Sequence, residues 1–163
     1  MPHLRKTDGG CLRGTEKWNG GRHSARDQGT SAVIGIVIVA HGGLAREYLA
    51  AVEHVVGRQS GMISIAIGPE DDRAAKQAEI CEAADAVDTG DGVVIVTDMF
   101  GGSPSNLSMR ACSSANRRIL YGANLPMLIK LAKCRNRSVP DAVEASIAAA
   151  HKYIDCHDGG VTS

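Results

Sequence analysis

The chain has 163 residues, enough for one domain with a sizeable core. Its 18 Lys and Arg balance 18 Asp and Glu, so nothing points to nucleic acid or an anionic membrane as the main partner. The five cysteines are odd in number and show no CxxC spacing, which argues against a disulfide framework and against a zinc site.

The charge is unevenly spread. Residues 1–31 hold six basic and three acidic residues, a net +3, which leaves a net −3 on the rest. That first stretch has neither a periodic apolar pattern nor the apolar core of a secretory signal. It is expected to be a disordered basic extension, followed by a domain over residues 32–155 and a flexible tail over 156–163.

Residues 34–40 form a continuous apolar run, which predicts a strand buried on both faces. His41, Gly42 and Gly43 follow, and a helical pattern starts at Leu44, so His41 is placed in the turn at the strand's carboxyl end. The helix over 44–56 carries an apolar stripe of Leu44, Tyr48, Ala51, Val52 and Val55, with Gly57 as its cap. Residues 62–67 predict a second strand. Pro69 and the acidic Glu70, Asp71 and Asp72 read as the first turn of a second helix, packed through Ala74, Ala78, Cys81 and Ala84.

A turn cluster at 88–92 precedes a third apolar strand over 93–97. Residues 98–106 then read DMFGGSPSN. Ser103 is a natural N-cap and Pro104 a natural first helical residue, with the helix continuing to about residue 115. A short strand is expected over 118–121. Asn124 caps a short helix containing Leu125, Met127, Leu128 and Leu131. Ser138 and Asp141 form a variant capping box, opening a last helix with Val143, Ile147, Ala150 and Ile154 on one face.

Strands alternating with helices predict an α/β domain of flavodoxin-like, three-layer type, with a mainly parallel sheet in strand order 2-1-3-4. In that order the turns after the first and third strands face each other across one crevice. Gly101 and Gly102 let the backbone approach a ligand, and the helix start at Ser103 suits an anion. Asp98 is placed to orient His41 and leave the other imidazole nitrogen as a nucleophile. Nucleophile, orienting carboxylate and anion cradle together suit phosphoryl transfer. The chain has no GxGxxG, GxxxxGK[ST] or HExxH pattern, so neither a cofactor nor a metal is expected.

These residues resemble a known family. Ala40-His41-Gly42, the run Asp98, Phe100, Gly101, Gly102, Ser103, Pro104 and Asn106, and Asn124-Leu125-Pro126-Met127 are similar to the motifs of the mannose-family IIA component of the bacterial sugar phosphotransferase system. The similarity extends over residues 33–154. It implies a cytoplasmic phosphocarrier in which His41 takes a phosphoryl group from HPr and passes it to a IIB protein. Asp98 matches the paired carboxylate, and Gly101, Gly102 and Ser103 match the phosphate-facing turn. Gly42, Phe100, Asn106 and Asn124 stand as supporting residues. The resemblance also implies a homodimer, a link to a membrane permease only through IIB, and an antiparallel edge strand in the best-known form. No apolar strand follows Ile154, so exchange of such a strand between subunits is unsupported, and no fused IIB domain is expected. Two other readings stay open: the phosphotransfer subunit of the dihydroxyacetone kinase system, and a small-molecule or nucleotide-binding α/β module in which His41 only contacts ligand. Regulation by phosphorylation state is an alternative to a role in sugar uptake.

Overall fold

Three apolar runs rich in Ile and Val, and a fourth, half-polar one, form four strands: β1 (Gly35–His41), β2 (Met62–Ile67), β3 (Val93–Thr97) and β4 (Arg117–Leu120). The computed structural model describes residues 32–157 and 159. The extension expected over 1–31, and the expected tail apart from 156, 157 and 159, lie outside the described residues. The strands make one sheet in the order β2-β1-β3-β4, with every pairing parallel. Among the described residues no antiparallel strand joins its edge.

Burial on both faces explains the unbroken hydrophobicity of β1 and β3. On one face Ile36, Ile38 and Ala40 pack with Val94 and Val96 into a core shared with α1 (Leu44–Val56), α4 (Leu125–Lys133) and α5 (Val139–Lys152). On the other, Val37, Val39, Val93 and Ile95 meet α2 (Arg73–Val87), α3 (Ser103–Ser108) and the 3₁₀ turn Met109–Cys112. His41 continues the Val37–Val39 alternation, so its side chain leaves the sheet on the α2/α3 side.

Arg135 closes the opposite end of the sheet. It is 8% exposed and donates to the carbonyls of Ile34, Ser60 and Gly61 at 2.7, 2.6 and 3.4 Å. Burial without a carboxylate partner pulls its pKa down. The guanidinium thus ties the starts of β1 and β2 to the end of α4 through backbone acceptors alone.

Several expectations shift by a turn or a face. His41 is the last residue of β1, paired with Ile67 of β2, rather than a turn residue. The buried side of α1 runs through Ala45 and Val52, with Leu49 and Val56 beside them, while Leu44 and Val55 are 40% and 52% exposed. Helix α2 starts at Arg73, because Asp72 caps it by accepting from Ala75 N–H and Asp71 accepts from Gly68 N–H. Its packing face is Ile80, Ala84 and Val87, and Ala74 and Ala78 are exposed. The helix after Gly102 ends at Ser108 and continues only as the 3₁₀ turn, and Ser103 is its first residue rather than its cap. Strand β4 lies one residue earlier than expected. On α5, Val139, Ala142, Ser146 and Ala150 are buried, while Ile147 is exposed, as is Ile154, which lies just beyond the helix.

Candidate functional site

The ends of β1 and β3 are neighbours in the sheet, with Val39 opposite Thr97. The chain therefore leaves the sheet at His41 and at Asp98 on adjacent paths, at the reversal point of the strand order, where open parallel sheets collect ligands. His41 Nδ1 lies 2.7 Å from Asp98 Oδ2, and the same oxygen accepts the backbone N–H of His41 at 3.0 Å. The other oxygen, Oδ1, accepts from Met99 N–H at 2.9 Å. The Asp98 side chain is 11% exposed and the His41 side chain 48%.

Burial alone would raise the Asp98 carboxyl. The backbone N–H of His41, its imidazole and the N–H of Met99 outweigh that and hold it below the usual carboxylate range. An ionised carboxylate can only accept, so Nδ1 carries a proton, and in the neutral imidazole the lone pair is on Nε2. Tyr48 lies behind the pair. Burial, then the nearby Asp98 charge, pushes its phenol up, and its hydroxyl donates to Ala123 O at 2.8 Å.

The second turn is locked by its own residues. Gly101 sits at φ 81°, its N–H bonds to Ser105 Oγ at 3.0 Å, and its carbonyl accepts from Asn106 Nδ2 at 3.2 Å. Gly102 lies against the imidazole: a Cβ there would stand 3.0 Å from His41 Cε1 and 3.5 Å from Nε2. A cleft of about 360 Å³ opens beside this contact, with His41, Gly42, Pro69, Asp71, Arg73 and Ser103 on its walls. Gly42, at φ 52°, turns the chain out of β1 and bonds to Ile67 O.

The structure thus brings His41, Asp98, Gly42, Gly102 and Ser103 together, with Gly101 and Asn106 setting the turn. It places two other candidates elsewhere. Asn124 caps α4 by accepting from Met127 N–H, and its Nδ2 donates to Ala150 O, a structural tie. Phe100 is 71% exposed and meets the Tyr121 ring edge-on at 5.0 Å. With Met99 at 55% and Leu44 at 40%, it leaves apolar surface on the segments flanking His41. Ser105 and Arg73 had no signal of their own in the sequence, since the first is one more serine of SPSN and the second one more charge in a polar turn. Among the described residues no group of three or more His, Cys, Asp or Glu is placed to hold a metal ion.

A sequence profile described as "PTS system fructose IIA component" matches residues 35–150. The chain is 29% identical over 104 residues to the mannose-specific EIIAB component of the phosphotransferase system (PTS) of Escherichia coli K12, a match covering 63% of this chain and 32% of that protein. It therefore spans about a third of the length of this relative. Component EIIA from Streptococcus agalactiae superposes with a TM-score of 0.68 at 25% identity, covering 76% of this chain and 96% of that one. The mannose/sorbose-specific IIA subunit from Enterococcus faecalis gives 0.70 at 22% identity, covering 80% and 98%, and shares the fold.

Proposed function

The chain belongs to the mannose-type IIA family of phosphotransferase-system components, and from that premise we propose that it is a phosphocarrier acting through His41. The observation that carries this reading is the 2.7 Å contact from His41 Nδ1 to an ionised Asp98. It fixes the tautomer and leaves Nε2 as the nucleophile.

In the proposed step the Nε2 lone pair attacks phosphorus as the P–N bond of a donor phosphohistidine on HPr breaks. The electron pair of that bond returns to the donor ring. His41 keeps its Nδ1 proton, so the phosphorylated ring becomes an imidazolium, and the Asp98 carboxylate balances the new positive charge. Reversal of the same step toward an acceptor histidine or cysteine on a IIB protein discharges the carrier. Gly102 leaves room for the phosphoryl oxygens beside the ring, and Gly101 and Ser103 set the backbone that faces them. The apolar surface at Met99, Phe100 and Leu44 suits docking of protein partners in the cytoplasm. No nucleotide, cofactor or metal held by this chain enters the step.

The test is transfer from purified phospho-HPr without ATP or Mg²⁺. The expected product is acid-labile and alkali-stable, as a phosphoramidate is. Labelling that instead requires ATP and Mg²⁺ would contradict the reading and favour a nucleotide-binding module.

A further inference from the structure

Arg73 occupies an electrostatically unfavourable position. It is the first residue of α2, directly after the Asp72 cap, so its charge lies at the positive end of the helix dipole. It is exposed and makes no ion pair or side-chain hydrogen bond among the described residues, and the two aspartates just before it are engaged elsewhere. Asp72 holds Ala75 N–H at 2.7 Å; Asp71 holds Gly68 N–H at 2.7 Å and faces Lys76 at 3.8 Å; Glu79 pairs with Lys76 at 2.9 Å. Helix stability and local pairing give no reason for a guanidinium here.

The cleft gives one. Arg73 and His41 line the same cavity of about 360 Å³, and among the described residues lining it Arg73 is the only Lys or Arg. Asp71 brings a negative charge to that cavity. A phosphoryl group on Nε2 would add up to about two more. An arginine fork with several N–H donors is the side chain best matched to phosphoryl oxygens.

We propose that Arg73 is a catalytic residue of the transfer, donating hydrogen bonds from its guanidinium to the oxygens of the phosphoryl group as it passes to, and rests on, His41. This rests on the reading of His41 as the phosphoryl acceptor. The Nε2–P bond forms and the donor P–N bond breaks as written above. Arg73 exchanges no proton and stays charged throughout, and its contribution is to the charge on the moving oxygens.

Arg73→Ala, Arg73→Lys and wild type separate the outcomes. Each is labelled with phospho-HPr and, separately, with phosphoramidate, a small donor that needs no docking surface. For Arg73→Ala, labelling is expected to slow at least about tenfold with both donors. The phosphorylated form should also hydrolyse at a changed rate, and Arg73→Lys should recover part of the loss. Thermal unfolding should hold or rise slightly, since a cation leaves the helix start. Unchanged labelling of Arg73→Ala with both donors would overturn the proposal. A loss confined to phospho-HPr would also overturn it and make Arg73 a docking contact. A wild type that takes label from neither donor would instead overturn the reading of His41 itself.

Discussion

His41 owes its orientation to a single oxygen. Asp98 Oδ2 accepts both the imidazole Nδ1–H and the backbone N–H of the same residue, so ring and strand end are fixed together. Asp98→Asn keeps the shape but can present an NH₂ to Nδ1 and cannot balance an imidazolium. Phosphoryl transfer should fall by about 10²-fold or more, with circular dichroism unchanged. The same variant carries a pH signature. Because the Asp98 pKa is lowered on folding, its stabilisation is present above the unfolded carboxyl pKa, about 3.9, and is lost as pH falls through the lower folded value. Urea midpoints followed below about pH 4 should therefore drop less steeply for Asp98→Asn than for wild type. Some acid dependence should remain. Burial would push Asp88 up, but the N–H of Gly90 and the Arg117 guanidinium hold it low as well. Gly102→Ala tests the contact on the other side of the ring. Gly102 has φ −74° and ψ 171°, which alanine adopts freely, so the effect is steric: the added methyl meets His41 Cε1 at 3.0 Å and Met99 Cγ at 3.3 Å. Stability should change little while transfer from phospho-HPr drops sharply. Unaltered transfer would mean the ring has room to give.

At the scale of elements, the strands and the caps at Gly57, Asn124 and Ser138 are legible, while Ser103, the start of α2 and the faces of the helices are not. Residues 62–67 and 93–97 are strands to the residue, because glycines or an aspartate bound them sharply: Gly61 and Gly68 flank the first, Gly92 and Asp98 the second. Asn124 and Ser138 cap as their sequence context predicts, since capping is a local hydrogen bond. Helices rich in Ala and Val carry little contrast between faces. Leu44 and Ile147 therefore read as core but lie on the surface, where only tertiary packing decides. The start of α2 was misplaced because Pro69 suits both a turn and a first helical turn, and the two aspartates chose the turn. Arg135 was invisible for another reason: its three acceptors are backbone carbonyls, which no side-chain pattern records. Arg135→Met should remove the guanidinium donor from the Ile34 and Ser60 carbonyls and cost about 1–3 kcal/mol in chemical denaturation. Phosphoryl transfer should survive at temperatures where the variant is folded, because Arg135 sits at the end of the sheet away from His41.

For the whole molecule, the order β2-β1-β3-β4 puts His41 and Asp98 side by side, and that order followed from which runs were most apolar. What the pattern could not supply was the cleft wall contributed by α2, because Asp71 and Arg73 enter it only through the tertiary placement of a polar turn. We expect the chain to form a homodimer. Ile147 on α5 and Tyr153 and Ile154 just after it are exposed at 41%, 66% and 72%, apolar surface that a second copy could cover. Light scattering at micromolar concentration should give twice the chain mass, and a monomer mass would contradict this. The most direct measurement of the central claim is intact mass after incubation with phosphoenolpyruvate, enzyme I and HPr. The wild type should gain the mass of one phosphoryl group per chain and lose it in acid, whereas His41→Ala, equally folded, should gain nothing. Phosphorylation that persists in His41→Ala, or a wild type that gains no mass, would contradict the account.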